Sequence, residues 1–308
     1  VITTSLGMLA GLAAAFFSSV SYLVSRHYGT RQQGGGRRLL LLAHLVMGAI
    51  CGPIAVGLLP AGSFAQLVQD PAVSIPCLVS TGAYFLGTSI VFRVLTRADA
   101  SRLSPLLGLK VIALAVIVSI LPGQPLDGRQ WLAVGLCGTA ALVLQRGGSG
   151  LPLASLALLF VGCTCFAVAD LGIVALIDGL EQALPVSRLA CGNVAMTLTY
   201  SLGGILVLPL VAGEAWRQPL TSADWRAAAE YSLAWLAAMV ALYACIGAVG
   251  VIFSTILQST RGIISIVLGA GLARQGWHEL ESLVNRTILA KRIAAAVLMT
   301  TAIALYVS

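Results

Sequence analysis

The chain has 308 residues, 58% of them hydrophobic and only 9% charged, with a formal net charge of +7 and a mean hydropathy of +0.97. A soluble domain carries about 25% charged residues, so this composition excludes a soluble enzyme or binding module and indicates a polytopic helical membrane protein. Ten-residue stretches of alternating polarity, the mark of a membrane β-barrel, are absent. The positive balance comes without basic runs interleaved with aromatics, which excludes a nucleic-acid binder and suits loops facing anionic lipid.

Counted against bilayer thickness, the apolar runs predict ten spans: 4–24, 39–60, 73–94, 103–121, 131–146, 152–177, 188–211, 230–249, 251–273 and 289–307. The first lacks a basic segment ahead of it and reads as a spanning helix, not a cleaved leader. Ser18, Ser19, Ser21 and Tyr22 are its polar residues. A loop follows with Gly34–Gly36 at its tip and no phosphate-loop lysine or threonine after it. His44, early in the second span and close to Arg37 and Arg38, reads as an interfacial histidine. Thr88 and Ser89 lie in the third span, and Arg93 belongs with Arg97 and Arg102 to the next loop. The fourth span holds a lone cation, Lys110. Breaker-rich connections occur at 122–129 and 146–152, and the sixth span carries Thr164 and Asp170. Another connection, EAWRQPLTSADWR, covers 214–226. The eighth and ninth spans are nearly continuous, which requires a very short turn near Gly247–Gly250. Tyr243 is on the eighth, and Gln258, Ser259, Thr260, Arg261 and Ser265 are on the ninth. Pro53, Pro105 and Pro209 fall in or at spans, where proline can kink a helix.

The seven cysteines (Cys51, Cys77, Cys137, Cys163, Cys165, Cys191 and Cys245) all lie in apolar runs without a C-x-x-C. They read as small buried hydrophobes, with no disulfide and no metal expected. His278-Glu279-Leu280-Glu281 is not H-E-x-x-H, so zinc-protease chemistry has no support. The stretch around Trp277 reads as interfacial.

Fourteen of the eighteen Lys and Arg residues fall in alternate connections, those after spans 1, 3, 5, 7 and 9, and only Arg129 and Arg188 in the others. By the positive-inside rule the cation-rich side is cytoplasmic, which puts both termini outside the cytoplasm. The chain also repeats itself. RADASRLSPLLGLKVIALAVIVSILPGQPLDGRQWLAVGLCGTAALVL closes the first half, and GVIFSTILQSTRGIISIVLGAGLARQGWHELE followed by AKRIAAAVLMTTAIALYV closes the second. Each has a Ser-containing helix start, a cation, a Gly-containing turn and a final span rich in small residues. Five spans per half is an odd number, so the halves, 1–150 and 151–308, lie in opposite orientations, the inverted-repeat plan of secondary carriers.

With SPLLGLK…LPGQPLDGRQWLAVGLCGTAALVL in one half and STILQSTRGIISIVLGAGLARQGWHELE in the other, the chain resembles the drug/metabolite transporter superfamily, in particular its EamA-type ten-helix members. The likeness spans nearly the whole chain but is loose. The family glutamate is replaced by Gln124 in the first half, and by His278 or Glu279 in the second. Ten-helix relatives also keep both termini in the cytoplasm, opposite to the charge count. The resemblance implies a central cavity between the repeats, lined by spans 1, 3, 4, 6, 8 and 9.

A cation in hydrocarbon costs about 3 kcal/mol on insertion scales, so it is kept only where it faces a cavity, pairs, or snorkels. Aligning the two turns places Lys110 and Arg261 about one helical turn apart in the repeat, within reach of one midplane site. There an arginine suits bidentate contact and a lysine a point charge, both toward an anionic group. The alternatives are snorkelling of Lys110 to the loop at 96–102, and a structural partner for Arg261 such as a helix dipole or Asp170. Asp170 can pair with either cation or relay a proton. The substrate-binding candidates are therefore Arg261, Lys110, Tyr22, Ser19, Thr88, Tyr243, Gln258 and Ser265, with Asp170 for proton coupling. For the hydroxyls the alternative is bonding back to their own helix or joining small-residue interfaces.

These features describe an all-α integral membrane protein with ten spans in two inverted repeats. The expected function is secondary transport, in the export direction, of a small metabolite with an anionic or zwitterionic group. The setting is the bacterial inner membrane, without a cofactor, as a monomer or homodimer. A lipid flippase or scramblase, a non-transporting scaffold and a membrane-embedded lipid-modifying enzyme are the alternatives. The scattered histidines and single buried acid count against the enzyme.

Overall fold

The computed structural model describes residues 2–31, 35–60, 62–95, 103, 106–120, 127–146, 151–275 and 286–307. The regular elements among them are all helical: α1 (Ile2–Arg31), α2 (Gly35–Leu58), α3 (Ser63–Gln69), α4 (Pro71–Leu95), α5 (Lys110–Ile120, after a 3-10 turn at Leu107–Leu109), α6 (Gly128–Arg146), α7 (Leu153–Ala183), α8 (Arg188–Arg217), α9 (Ser222–Val249), α10 (Val251–Ser259), α11 (Arg261–Arg274) and α12 (Arg286–Val307). Six of these, α1, α2, α4, α7, α8 and α9, are long and apolar enough to cross a membrane. Apolar side chains are turned outward to match. Leu6, Val56, Ile75, Ile205 and Leu233 are exposed, whereas Ser18, Ser21, His44, Lys110, Asp170 and Arg261 are buried. Such a surface is solvated by lipid tails, and helices satisfy their own backbone hydrogen bonds there. The chain is an all-α membrane protein.

Helix ends run past the apolar stretches. The first helix continues to Arg31, and α9 starts at Ser222, eight residues before its apolar run. Its start is set by a capping box: the Asp224 amide donates to Thr221 Oγ1 at 3.3 Å and the Thr221 amide to Asp224 Oδ2 at 2.7 Å. The segment 214–226, expected as a connection, is thus helical apart from 218–221. The short helix α3 was not anticipated. The turn expected near Gly247–Gly250 is a single residue, Gly250 at φ 84°, ψ 165°, a region open essentially to glycine alone.

Two spans expected to be continuous are broken. Among the described residues of 103–121, Leu103 and Leu106 are α-helical, Leu107–Leu109 form a 3-10 turn, and α-helix resumes at Lys110. The stretch 251–273 divides at Thr260, whose amide reaches only back to Leu257 O at 3.2 Å and whose hydroxyl donates to the same carbonyl at 2.6 Å. Lys110 and Arg261 are each the first residue after a break.

The bundle is built from long helix pairs: α1 along α9, α4 along α7, α2 along α8 and α6 along α12, with α5 against α7 and both α10 and α11 against α1. Membrane helices gain no hydrophobic drive from association, so close backbone approach through small residues takes its place. At the α2–α8 crossing a Cβ added to Gly48 would lie 2.6 Å from Gly204 Cα, and in the α4–α7 pair one added to Gly87 would lie 3.1 Å from Gly162 O.

One end of the bundle is tied by ions. Arg26 donates to Leu95 O at 2.7 Å, Arg38 to Asp224 at 3.2 Å and Gln218 at 2.8 Å, and Arg37 pairs with Glu214 at 3.0 Å. Tyr28 donates to the same Asp224. The turn between α7 and α8 has its own cluster, in which Arg188 meets Asp178 at 2.7 Å and Glu181 at 2.6 Å. His44 is not interfacial. It is 1% exposed, its Nδ1 bonds Leu40 O at 2.7 Å, and its ring packs on Tyr84 and Phe85. The α2 helix carries it nearly two turns further inward than Arg37 and Arg38, onto α4. Pro53 and Pro209 lie inside α2 and α8; Pro105, Gln124, Trp277, His278 and Glu279 lie outside the described residues.

Candidate functional site: a central charged cavity

The breaks before α5 and α11 put two cations where a continuous helix would have placed ordinary turns. Lys110 reaches α7 and donates to Asp170 Oδ2 at 2.6 Å. Its ammonium also donates to Gln258 Oε1 on α10 at 3.2 Å. The pair is enclosed, with side-chain exposures of 5% for Lys110 and 10% for Asp170. Thr255, on α10, donates to Asp170 Oδ2 at 3.5 Å while also bonding back to Val251 O. Lys110 therefore does not snorkel toward 96–102: the ion pair to α7 holds its stem inside the bundle.

Arg261 is likewise buried. Its guanidinium carbon lies 5.9 Å from the centroid of the Tyr22 ring, a cation–π distance. Its carbonyl accepts from Ser19 Oγ at 3.2 Å, which ties the break to α1. Lys110, Asp170, Gln258 and Arg261 line one cavity with Tyr22, Ser80, Tyr84, Phe166, Tyr200, Trp235 and Tyr243. Its volume is about 40 Å³, room for a few water molecules.

An aromatic shell stands among these charges. The Trp235 ring stacks on Tyr84 at 5.9 Å and on Tyr231 at 5.8 Å, and tilts against Tyr22 at 5.8 Å. Tyr84 meets Tyr200 edge-on at 5.6 Å, and Trp235 Nε1 donates to the Tyr200 hydroxyl at 2.8 Å. Among the described residues the Tyr22 and Tyr231 hydroxyls have no hydrogen-bond partner. Each ring offers a wide contact face and, in tyrosine, a polar tip. Two cations, one carboxylate and uncommitted hydroxyls in a low-dielectric space can bind a solute with both an anionic and a second polar or apolar group.

Of the expected site residues, Arg261, Lys110, Tyr22, Tyr243, Gln258 and Asp170 meet at this cavity. Ser19, Thr88 and Ser265 are buried but lie outside its lining. Ser19 is turned to Ala15 O and Arg261 O, so its hydroxyl joins helices instead of facing the space. Ser18 and Ser21 bond back along α1 and Thr164 along α7. Ser89 bonds Phe85 O and lines a separate cleft. Sequence reasoning missed Tyr84, Tyr200 and Trp235. Their signal was position: aromatics in membrane helices concentrate at the two interfaces, whereas these stand mid-span. Among the described residues no group of three or more His, Cys, Asp or Glu is disposed to hold a metal.

No protein-family model matches the chain, and no curated protein does. Chains of solved structures do match, among them one titled only as the crystal structure of a protein. It aligns with a TM-score of 0.59 at 13% identity, covering 97% of this chain and 96% of that one. At that identity the likeness is one of fold, carried over nearly the full length of both chains.

Proposed function

We propose that the chain is a secondary transporter of the drug/metabolite transporter superfamily, EamA type, exporting a small anionic or zwitterionic metabolite across the bacterial inner membrane by alternating access. The observation that carries this reading is the cavity lined by residues of both halves, with Lys110, Asp170 and Arg261 on its wall. Intramembrane ionisable groups that face a cavity mark substrate or ion pathways. Breaks beside the buried charges are a further trait of carriers, whose sites form at discontinuous helices.

In this reading the ten spans form two inverted five-span repeats, with α1, α2, α4, α5 and α6 answering to α7, α8, α9, α10–α11 and α12. The packing supports that correspondence. Exchanging the two sets turns the α1–α9 pair into α7–α4 and the α5–α7 contact into α11–α1, and leaves α2–α8 and α6–α12 unchanged, all of them contacts of this bundle. Lys110 and Arg261 are then counterparts at equivalent breaks. Arg261 takes the solute's anionic group. Lys110 is held by Asp170 in the closed state and released when a proton or the substrate competes for the carboxylate, which couples the two. The cation-rich end is cytoplasmic and both termini lie outside.

The test is uptake into and efflux from proteoliposomes with a panel of amino acids, organic acids and organic phosphates. Arg261→Ala and Lys110→Ala, checked for folding by monodispersity, are expected to abolish transport of the solute that the unmodified protein carries. Transport that survives both substitutions removes the anion site. Scrambling of fluorescent phospholipid without solute transport makes the protein a lipid flippase instead.

A further inference from the structure

A second cavity lies away from the central one, on the side of the bundle. It is a cleft of about 580 Å³ lined by α2, α4, α7 and α8. Its position along each helix is informative. Arg37 sits in the first turns of α2, Arg93 in the last turn of α4, Ser155 in the first turn of α7 and Leu210 in the last turns of α8. Four helix ends therefore meet at one level, with the cleft reaching from that level into the apolar zone. Its floor and walls are Leu40, Leu41, Phe85, Phe92, Leu158 and Leu210, of which Leu158 and Leu210 are 38% and 43% exposed and face outward. Arg37 and Arg93, both exposed, stand at the level of the helix ends, with Ser89 and Ser155 also in the lining. Glu214, outside the lining, is engaged by Arg37 at 3.0 Å.

We propose that this cleft is a binding site for an anionic phospholipid, with the headgroup phosphate between Arg37 and Arg93 and an acyl chain along Leu40, Phe85, Leu158 and Leu210. Three features select this occupant. The cleft opens on the lipid-facing surface, so its ligand comes from the bilayer. The combination of two guanidinium groups over an apolar trough matches a molecule with an anion at one end and hydrocarbon at the other, and arginine binds phosphate oxygens bidentately. This end of the bundle also holds Arg26, Arg37 and Arg38, part of the cation-rich side, which faces the leaflet enriched in anionic lipid. Glu214 is the built-in competitor: the phosphate must draw Arg37 away from it. The four helices joined by the cleft include both members of the α2–α8 and α4–α7 pairs, so an occupying lipid braces the bundle across them.

Native mass spectrometry of the purified protein tests this with phosphatidylglycerol against phosphatidylcholine of the same acyl chains, and with inorganic phosphate as the control that lacks acyl chains. The unmodified protein is expected to retain phosphatidylglycerol preferentially and to show no phosphate adduct. Each of Arg37→Gln and Arg93→Gln should weaken that retention about fivefold, from the field of one cation near the surface, while Glu214→Gln should strengthen it. Ser155→Trp, which fills the trough without altering charge, should lower retention of both lipids. Arg217→Gln with Arg226→Gln removes the same charge from exposed positions at the same end, outside the cleft, and should leave retention unchanged. Equal loss in that control, or undiminished preference in the Arg37→Gln, Arg93→Gln double variant, overturns the site.

Discussion

Replacing Lys110 with methionine keeps most of its volume but leaves Asp170 buried without its cation. The two charged atoms are 2.6 Å apart in side chains only 5% and 10% exposed. At an effective dielectric of about 20 their attraction is about 6 kcal/mol, most of it offset by the several kcal/mol needed to desolvate each ion. The pair is therefore close to neutral as a unit, while either member alone is strongly unfavourable. Lys110→Met or Asp170→Asn singly should cost about 3–5 kcal/mol. Combining them should recover most of the loss, because no unpaired charge is left and Thr255 remains beside the neutral amide as a hydrogen-bond partner. The assay is a double-mutant cycle of unfolding in mixed detergent micelles, followed by tryptophan fluorescence. A coupling of at least about 2 kcal/mol is expected, outside the range of exposed ion pairs. Single variants that each lose under about 1 kcal/mol, or a double variant whose loss equals the sum of the two, would refute a buried, mutually dependent pair. Transport measured on the same four proteins separates stability from function: the double variant should be stable and inactive.

Three further outcomes follow from particular contacts. Gly204→Val should abolish monodisperse protein on size-exclusion chromatography, because a Cβ there would lie 2.7 Å from Gly48 Cα and backbones must separate, whereas Gly82→Ala, with nothing within 4 Å, should behave as the unmodified chain. Gly250→Ala should lower stability by about 1–3 kcal/mol, since φ 84° with ψ 165° is closed to a side chain; an unchanged melting temperature would mean that α9 and α10 are joined differently. Tyr22→Phe should leave stability within about 0.5 kcal/mol, because the hydroxyl has no partner among the described residues, yet should raise the KM for a solute that uses it; an unchanged KM removes Tyr22 from the binding surface.

The membrane class, the helical content and most helix positions were legible in the chain, because hydropathy answers to a solvent of fixed thickness and needs no knowledge of neighbours. The Gly250 turn was legible for the same reason: two apolar runs with no polar connection leave room for little else. Lys110, Arg261 and Asp170 could be singled out by cost alone, since a charge in hydrocarbon demands an explanation wherever its helix packs. What each charge meets depended on rotation and register. Lys110 was as well placed to reach the loop at 96–102 as to turn inward, and only the docking of α5 on α7 decided for Asp170. The hydroxyls were least legible, because Ser19 and Tyr22 lie within one turn of each other on α1 and the face that each presents decides between bracing a helix and lining a cavity. The break at Thr260 carries no glycine or proline at the break itself, so local propensity did not announce it, and at Leu107–Leu109 the lone Gly108 was masked by an unbroken apolar run. Composition and hydropathy by themselves determined that this is a helical membrane protein with a few costly buried charges. Tertiary packing decided that these charges share one aromatic-walled cavity, because the pairing of helices distant in sequence sets which side chains face each other.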